Sequence, residues 1–285
     1  MKRMNLRLTD GRNLEYTDNG VESSAAVIIH SGTSGDISGW QTWLDSFAKR
    51  SIRAIAFNRS GYSGSTAMPT RVTIDVARDV AQLVDALGLH RFVSAGLSGG
   101  GQHALATGID PRCVGVVTIG SLAPYAELGQ RFYEGMQQVD IDEYADALTD
   151  INILVKRFQG WTDSGIEANA AGTTHSENDL RAMKRPTWAA LMDSMSLTMN
   201  NGWDWVKDDY RSYLQPWGFD PRDITVPVFI WQAGLDVNVP PVHGRWLAEN
   251  IPGAELRFVA DESHLGLVVN YENEIMDDAV ALLQA

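Results

Sequence analysis

The 285-residue sequence contains one cysteine, Cys113, and this scarcity excludes two classes of small protein. A single thiol cannot form an intramolecular disulfide or a cysteine-based metal cluster, so a disulfide-stapled secreted miniprotein and a zinc finger are both excluded. Five histidines show no metal-ligand spacing with one another: His30, His90, His103, His175 and His243. The sequence therefore predicts neither a metal nor a cofactor.

Basic residues are also scarce, because 23 Lys and Arg stand against 36 Asp and Glu, which gives a formal net charge of -13. This charge repels a phosphate backbone, and no segment concentrates basic residues, so we expect no nucleic-acid partner. The composition, with 44% hydrophobic and 21% charged residues, is that of a globular chain able to bury a core.

Long apolar runs are missing as well. The longest, at residues 25–29 and 226–233, have the length of a strand and are far shorter than the roughly 20 residues that span a bilayer. Lys2 and Arg3 are not followed by the apolar run of a signal peptide. We therefore expect a soluble, cytoplasmic protein with no membrane contact. The sequence leaves both a monomer and a homo-oligomer open.

Short runs rich in Val, Ile and Phe recur along the chain and are typical of buried, parallel strands. They lie at residues 25–30, 53–58, 91–97, 114–119, 228–232 and 255–259. An alternating stretch over residues 4–16 precedes them and predicts an antiparallel hairpin. Helical spacing of apolar residues is clearest from Thr73 to Leu87 and ends at Gly88. Strand and helix thus alternate, which predicts an α/β fold with a mostly parallel, doubly wound sheet.

The alternation stops in residues 125–220, where the pattern becomes helical and irregular. This segment carries 16 acidic and 8 basic residues, and hence most of the net negative charge. We interpret it as a helical cap inserted into a core of residues 1–124 and 221–285, above the sheet edge where α/β proteins bind ligands. Its Trp and Met side chains either line an apolar pocket or form the cap's own core. They are Trp161, Trp188, Trp203, Trp205, Trp217, Met136, Met183, Met192, Met195 and Met199.

The sharpest local motif is Gly96-Leu97-Ser98-Gly99-Gly100, which matches G-x-S-x-G between a predicted strand and a predicted helix. A sharp turn of this kind holds the serine in a strained backbone conformation and exposes its hydroxyl above the sheet. The N-terminus of the following helix favours developing negative charge there. Ser98 is therefore the candidate nucleophile.

The same glycines also allow a different interpretation. Gly99, Gly101 and Ala104 spell G-x-G-x-x-A, which is typical of a dinucleotide-binding turn. That motif belongs to the first βα unit and requires an acidic residue at the end of the next strand. Here the turn comes late in the sheet and the next strand ends at Gly120. A glycine-rich structural turn without a ligand is the remaining alternative.

A serine nucleophile needs a base that removes its proton and an acid that orients the base. Asp236 follows the penultimate predicted strand and His264 follows the last one. The carboxyl ends of parallel strands meet at one edge of the sheet, where Ser98 also emerges, so these three side chains are expected to converge. Three other carboxylates stay open for the role of the acid: Asp223, Asp261 and Glu262.

Acyl transfer also requires two backbone N–H groups that point at the oxyanion. The amide of Gly99, directly after the nucleophile, is one candidate. The amide of Thr33 is the other, in the loop from Ser31 to Asp36, whose small residues allow the backbone to approach closely. A loop of this composition without a ligand is the alternative.

With these motifs the sequence resembles the α/β-hydrolase superfamily, and within it the bacterial hydrolases and proline-iminopeptidase-like proteins. That group has an H-G-x-P-G oxyanion loop, a D-R-P-G-Y-G segment and a G-x-S-G-G-G elbow. The likeness covers residues 4–124 and 221–285. The sequence departs from the pattern at residues 31–34, where Ser-Gly-Thr-Ser replaces H-G-x-P, at residues 58–64, where Asn-Arg-Ser-Gly-Tyr-Ser-Gly replaces the second motif, and at Ser263, where glycine is usual.

The resemblance implies an α/β-hydrolase fold and a serine hydrolase that cleaves a small or medium carboxylic ester or a related acyl substrate. Serine rather than aspartate at position 98 argues against dehalogenase and epoxide hydrolase chemistry. The implied substrate carries an apolar acyl or aryl part that the cap selects. One alternative is an aminopeptidase of the proline-iminopeptidase kind, whose acidic cap residues bind a free amino group. The other is a non-catalytic ligand-binding protein on a hydrolase scaffold.

Overall fold

The computed structural model describes residues 2–164, 176–200 and 202–285. Its single sheet has eight strands in the order β1-β2-β4-β3-β5-β6-β7-β8. The strands are β1 (Met4–Arg7), β2 (Asn13–Asp18), β3 (Ala25–His30), β4 (Arg53–Phe57), β5 (Arg91–Leu97), β6 (Cys113–Ile119), β7 (Val228–Ala233) and β8 (Ala254–Val259). The predicted fold class is confirmed: β2 pairs antiparallel with β1 and with β4, and all other neighbouring strands are parallel.

Twelve α-helices are described in the three ranges given above. They are α1 (Gln41–Lys49), α2 (Thr73–Ala86), α3 (Gly101–Thr107), α4 (Tyr125–Leu128), α5 (Gln138–Thr149), α6 (Ile151–Ser164), α7 (Glu177–Ala182), α8 (Pro186–Met199), α9 (Asp204–Leu214), α10 (Pro241–Asn250), α11 (His264–Asn270) and α12 (Glu272–Gln284). Four short 3-10 turns accompany them: Ile37–Trp40, Ser98–Gly100, Gly129–Tyr133 and Pro221–Asp223. In the described residues no helix is long and apolar enough to cross a membrane.

The helix predicted from Thr73 to Leu87 is present as α2, which ends one residue earlier. Val76 and Val80 lie on its buried face. Gly88, with φ +62°, then takes the left-handed conformation that a residue with a Cβ adopts only at a cost.

Successive residues of the central strands point to opposite faces of the sheet and build two core layers. On one face, Val27 and Val93 pack with apolar residues of α1 and α12. On the other face, Ile28 and Phe92 pack with residues of α2, α3 and α10. Helices thus cover both faces, and the carboxyl ends of the parallel strands β3, β5, β6, β7 and β8 form one edge of the sheet.

The segment between β6 and β7, residues 125–220, contains helices α4 to α9 and no strand in its described residues. Trp205 and Trp217 are buried in the same hydrophobic cluster as the α2 face of the sheet. The side chain of Trp161 lies outside the described part of the structure. We call residues 125–220 the helical segment. Its division from the core as a separate cap domain stays a prediction.

Candidate active site

Ser98 lies at the expected turn between β5 and α3. Its φ is +52°, the left-handed conformation that strains a residue with a side chain, as the G-x-S-x-G motif predicts. The turn is tight, because a Cβ on Gly96 would lie 2.6 Å from the carbonyl oxygen of Gly100. Only glycine fits at position 96. The tight turn that this glycine permits holds Ser98 in its strained backbone conformation.

His264 and Asp236 are brought together at the carboxyl edge of the sheet. Asp236 follows β7, and His264 begins α11 after β8. His264 Nδ1 and Asp236 Oδ2 are 2.6 Å apart, and the Asp236 side chain is fully buried. The other carboxylate oxygen accepts the backbone N–H groups of Asn238 at 3.0 Å and Val239 at 2.8 Å. The two backbone bonds hold the carboxylate in one orientation. The bond to Asp236 Oδ2 occupies Nδ1 of the imidazole, which leaves Nε2 as its basic nitrogen.

The electrostatics of the His264 imidazole favour its protonated form. Burial lowers the pKa of His264, but the charge of Asp236, the hydrogen bond that the imidazole donates to that carboxylate and the charge of Asp140 together outweigh burial. The pKa is therefore raised above its ordinary value of 6.5. A base of this kind holds a proton more firmly once it has removed it from a hydroxyl.

The other carboxylates left open by the sequence do not contact the imidazole. Glu262 Oε1 accepts hydrogen bonds from Asn270 Nδ2 at 3.0 Å and from Arg181 Nη2 at 3.2 Å. Asp261 Oδ2 lies 3.3 Å from Asn178 Nδ2. Asp223 precedes β7, at the opposite edge of the sheet.

Gly120 contributes to the geometry and was not recognised from the sequence beyond its place at a strand end. It follows β6 with φ +53°. A Cβ at this position would lie 3.0 Å from His264 Nδ1 and 3.1 Å from Asp236 Oδ2. The absence of a side chain here leaves the space that the imidazole and the carboxylate occupy.

Ser98 and His264 line one cavity of about 460 Å³. No hydrogen bond joins their side chains in the described structure, and catalytic hydrogen bonds are often long before substrate binds. Much of the wall is apolar and comes from both the core and the helical segment: Leu97, Leu122, Leu191, Met195, Met199 and Leu265. Of the Trp and Met residues of the helical segment, Met195 and Met199 line the cavity, whereas Trp205 and Trp217 are buried in the hydrophobic cluster that the segment shares with the sheet.

Two carboxyl groups of α5, Asp140 and Glu143, face the same cavity. Asp140 Oδ2 accepts hydrogen bonds from Gln137 Nε2 at 3.0 Å and Asn238 Nδ2 at 2.9 Å, yet burial dominates and raises its pKa. Burial, reinforced by the charge of Asp140, raises the pKa of Glu143 to about 8. Tyr210 donates a hydrogen bond to Glu143.

Sequence reasoning missed these two carboxyl groups as individual residues and registered only the acidic character of their segment. The available signal was their spacing. Residues three apart share one helix face, so Asp140 and Glu143 could have been paired once α5 was recognised.

The loop after β3 passes directly beside Ser98. A Cβ on Gly32 would lie 3.3 Å from Ser98 Cβ. Thr33 lines the cavity, and its backbone N–H has no hydrogen-bond partner among the described residues. Gly99 also lines the cavity, next to Ser98. Both candidate oxyanion donors are thus near Ser98, and their role stays a prediction.

A family model for the alpha/beta hydrolase fold matches residues 25–271, which span the sheet from β3 onward together with Ser98, Asp236 and His264. The chain belongs to the α/β hydrolase family. Within that family, the proline-iminopeptidase-like subgroup suggested by the sequence motifs stays a prediction.

Solved structures of other α/β hydrolases have the same fold over nearly the whole chain. An esterase from Exiguobacterium antarcticum is similar with a TM-score of 0.70 and 15% identity, covering 100% of both chains. An enol-lactonase from Burkholderia xenovorans LB400 has a TM-score of 0.69 and 20% identity, covering 99% of this chain and 100% of the other. A bromoperoxidase from Bacillus anthracis has a TM-score of 0.71 and 17% identity over 100% of both. At these identities the likeness concerns the fold.

Proposed function

We propose that this α/β hydrolase is a serine hydrolase that cleaves a small or medium carboxylic ester or a related acyl substrate. The observation that carries the proposal is the 2.6 Å hydrogen bond between His264 Nδ1 and Asp236 Oδ2, beside the strained Ser98 in a shared cavity. The esterase and lactonase among the similar structures agree with this reaction type. We further propose that the helical segment acts as a cap, since it supplies part of the cavity wall.

In the first half of the reaction, Ser98 Oγ attacks the carbonyl carbon of the ester while His264 Nε2 takes the hydroxyl proton. The carbonyl electrons move onto its oxygen, which the backbone N–H groups of Thr33 and Gly99 stabilise. Asp236 keeps Nδ1 protonated and stabilises the imidazolium. The carbon–oxygen bond to the leaving alcohol then breaks, the alcohol takes the proton from Nε2, and the acyl group remains on Ser98.

In the second half, water replaces the alcohol. His264 Nε2 removes a proton from the water as its oxygen attacks the acyl carbon, and a second oxyanion forms at the same donors. Collapse of this intermediate breaks the bond to Ser98 Oγ, which recovers its proton from His264. The products are a carboxylic acid and the original serine.

The cavity's charge indicates which acyl groups fit. In the described part of the chain no Lys or Arg lines it, whereas Asp140 and Glu143 do. A carboxylate on the substrate would therefore find no counter-ion and would face a negative charge. We expect neutral substrates with an apolar acyl or aryl part to be preferred over anionic ones.

Turnover of a panel of p-nitrophenyl esters by the purified protein tests the proposal. We expect release of p-nitrophenol from the acetate and butyrate esters, and a much lower kcat/KM for the matched hemisuccinate, which differs from the butyrate mainly by its terminal carboxylate. No release from any ester of the panel would contradict the proposed hydrolase. Faster hydrolysis of the hemisuccinate would contradict the inference about charge.

Replacing Asp140 by Asn should shift the pH dependence of that turnover. The reaction requires a neutral His264, so kcat/KM rises with pH through the pKa of its imidazole. The charge of Asp140 raises that pKa. Its removal lowers the pKa, and the variant should retain activity to lower pH than the parent.

The matched control is Asp142→Asn, which removes the same charge from the same helix at a residue that contacts Gln138 instead of the cavity. Its pH profile should overlay that of the parent. An unchanged acidic limb in Asp140→Asn would show that this carboxylate does not act on His264.

A second candidate function is an aminopeptidase of the proline-iminopeptidase kind, favoured by the position of Asp140 and Glu143 in the cavity. An ammonium group of a substrate would pair with Asp140. It would also pair with Glu143 once the Glu143 carboxyl has lost its proton, which happens only near the carboxyl's pKa of about 8. The test is release of a fluorophore from N-terminal Pro or Ala amides. Failure to release it from either amide, in a preparation that hydrolyses esters, would exclude this candidate.

A further inference from the structure

A buried ionic cluster outside the candidate triad connects the helical segment to the loop beside Ser98. Asp209, on α9, is fully buried and pairs with the guanidinium groups of Arg59 and Arg71, which are buried as well. The hydroxyls of Tyr62 and Tyr213 also donate to Asp209 Oδ2, the latter at 2.7 Å. Burial opposes ionisation of Asp209, but the two arginines outweigh it, and the pKa of this carboxyl lies well below its usual range.

Two residues that bind Asp209 also form hydrogen bonds with backbone atoms of the loop beside Ser98. Arg59 Nη1 donates to the carbonyl oxygen of Ser31. The backbone N–H of Ser34 donates to Tyr62 Oη at 3.2 Å. Both contacts fix main-chain atoms on either side of Thr33, whose own N–H is a candidate oxyanion donor.

The side chain of Thr33 is held in the same way. Thr33 Oγ1 and Tyr213 Oη are 2.9 Å apart. Both atoms lie against Gly99, since a Cβ built on that glycine would overlap them. The hydrogen bond between Thr33 and Tyr213 therefore lies against Gly99. It contacts both residues whose amides are the candidate oxyanion donors.

The sequence of the loop explains why such contacts are needed. Ser34 stands where the related motif has proline, so the ring that would restrict the backbone is missing. Ser34 also has φ +59°, a conformation that is unfavourable for a residue with a Cβ. A loop of this kind needs outside contacts to keep a donor at the 2.7–3.1 Å that oxyanion stabilisation requires.

We propose that Asp209 and Tyr213 are positioning residues, which fix the oxyanion loop through Thr33 and thereby couple the helical segment to the chemical step. This rests on the proposed hydrolase function. The helical segment then does more than shape the cavity, because α9 sets the position of a donor for the transition state. Asp209 acts through its neighbours and does not touch the substrate.

Asp209 itself is a poor site for the test, because its removal leaves two buried guanidinium groups without a counter-ion and threatens folding. Tyr213→Phe keeps the ring and removes the hydroxyl that joins Thr33 to Asp209. Thr33→Val removes the other partner at nearly constant shape, and Thr33→Ser retains the hydroxyl. Tyr16→Phe, which removes a phenol from β2, is the control for loss of a tyrosine hydroxyl.

We expect Tyr213→Phe and Thr33→Val each to lower kcat about tenfold with KM within about twofold of the parent, since the lost hydrogen bond orders a transition-state donor. The double variant should lose no more than either single variant, because both changes remove the same contact. Thr33→Ser, which keeps the hydroxyl, should lose clearly less kcat than Thr33→Val, and Tyr16→Phe should retain parental kcat. Affinity for a boronic acid, whose tetrahedral adduct on Ser98 places an oxygen at the same donors, should fall by the same factor as kcat.

Unchanged kcat and boronate affinity in folded Thr33→Val and Tyr213→Phe would overturn the proposal, as would an equal loss in Thr33→Ser. Thermal unfolding of each variant shows whether it is folded. If Tyr213→Phe does not fold, the comparison of Thr33→Val with Thr33→Ser still decides. A parent protein without ester turnover would instead contradict the hydrolase function, so the two failures are distinguishable.

Discussion

Replacing Ser98 by alanine should lower kcat/KM for p-nitrophenyl butyrate by roughly 10⁴-fold or more, close to the limit set by background hydrolysis. The loss is large because no other group can accept the acyl chain. Binding and oxyanion stabilisation alone leave a small residual rate. The measurement is initial-rate kinetics on parent and variant at equal concentration of folded protein.

The matched control for this change is Ser24→Ala. Ser24 is an exposed serine directly before β3, at the edge of the sheet opposite the cavity, and its variant should keep parental turnover. The stability of Ser98→Ala should equal or exceed that of the parent, because Ser98 Oγ makes no hydrogen bond with His264 in the described structure that the substitution could remove. Turnover by Ser98→Ala at the parental rate would show that hydrolysis does not use this hydroxyl.

Replacing Asp236 by asparagine should lower kcat by about 10³- to 10⁴-fold with a small effect on KM. The amide is nearly isosteric, and its oxygen can still accept the backbone N–H groups of Asn238 and Val239. Its NH₂ group cannot accept the hydrogen bond that His264 Nδ1–H donates to the carboxylate, so the ring turns or adopts the other tautomer, and Nε2 no longer takes the proton of Ser98.

The comparison variant is Asp261→Asn, three residues before His264, which removes a carboxylate whose partner is Asn178. It should retain activity within about threefold, as is usual for an exposed charge away from the chemistry. A loss of less than tenfold in Asp236→Asn, or a larger loss in Asp261→Asn, would assign the orienting role to a different acid.

Much of the sheet and the positions of Ser98, Asp236 and His264 could be predicted from the sequence because local patterns encode them. Buried parallel strands require continuous apolar runs, and the elbow requires small residues around Ser98. Asp236 and His264 follow such runs directly, so their convergence followed from strand topology alone. The sequence alone leaves both Asp236 and Glu262 open for the acid, since both lie in loops at the same edge and the side-chain directions depend on the folded loops.

The helical segment was less predictable, for a physical reason. Its helices pack on the core and on one another through contacts distant in sequence, and no local motif marks which face meets the cavity. Asp140, Glu143 and Asp209 are ordinary acidic residues in an acidic segment until α5 and α9 are placed. Gly120 was equally hidden, because the space it leaves is meaningful only once His264 and Asp236 lie beside it.

The reaction of Ser98 with a fluorophosphonate, followed by peptide mass analysis, tests most directly whether this serine, His264 and Asp236 act together as a catalytic unit. The account predicts one covalent phosphonate adduct per chain, located on Ser98, formed rapidly in the parent, far more slowly in Asp236→Asn, and absent from Ser98→Ala. An unlabelled parent protein would favour a ligand-binding protein on this scaffold, and an adduct that persists in Ser98→Ala would place the reactive hydroxyl elsewhere. Either result would contradict the assignment.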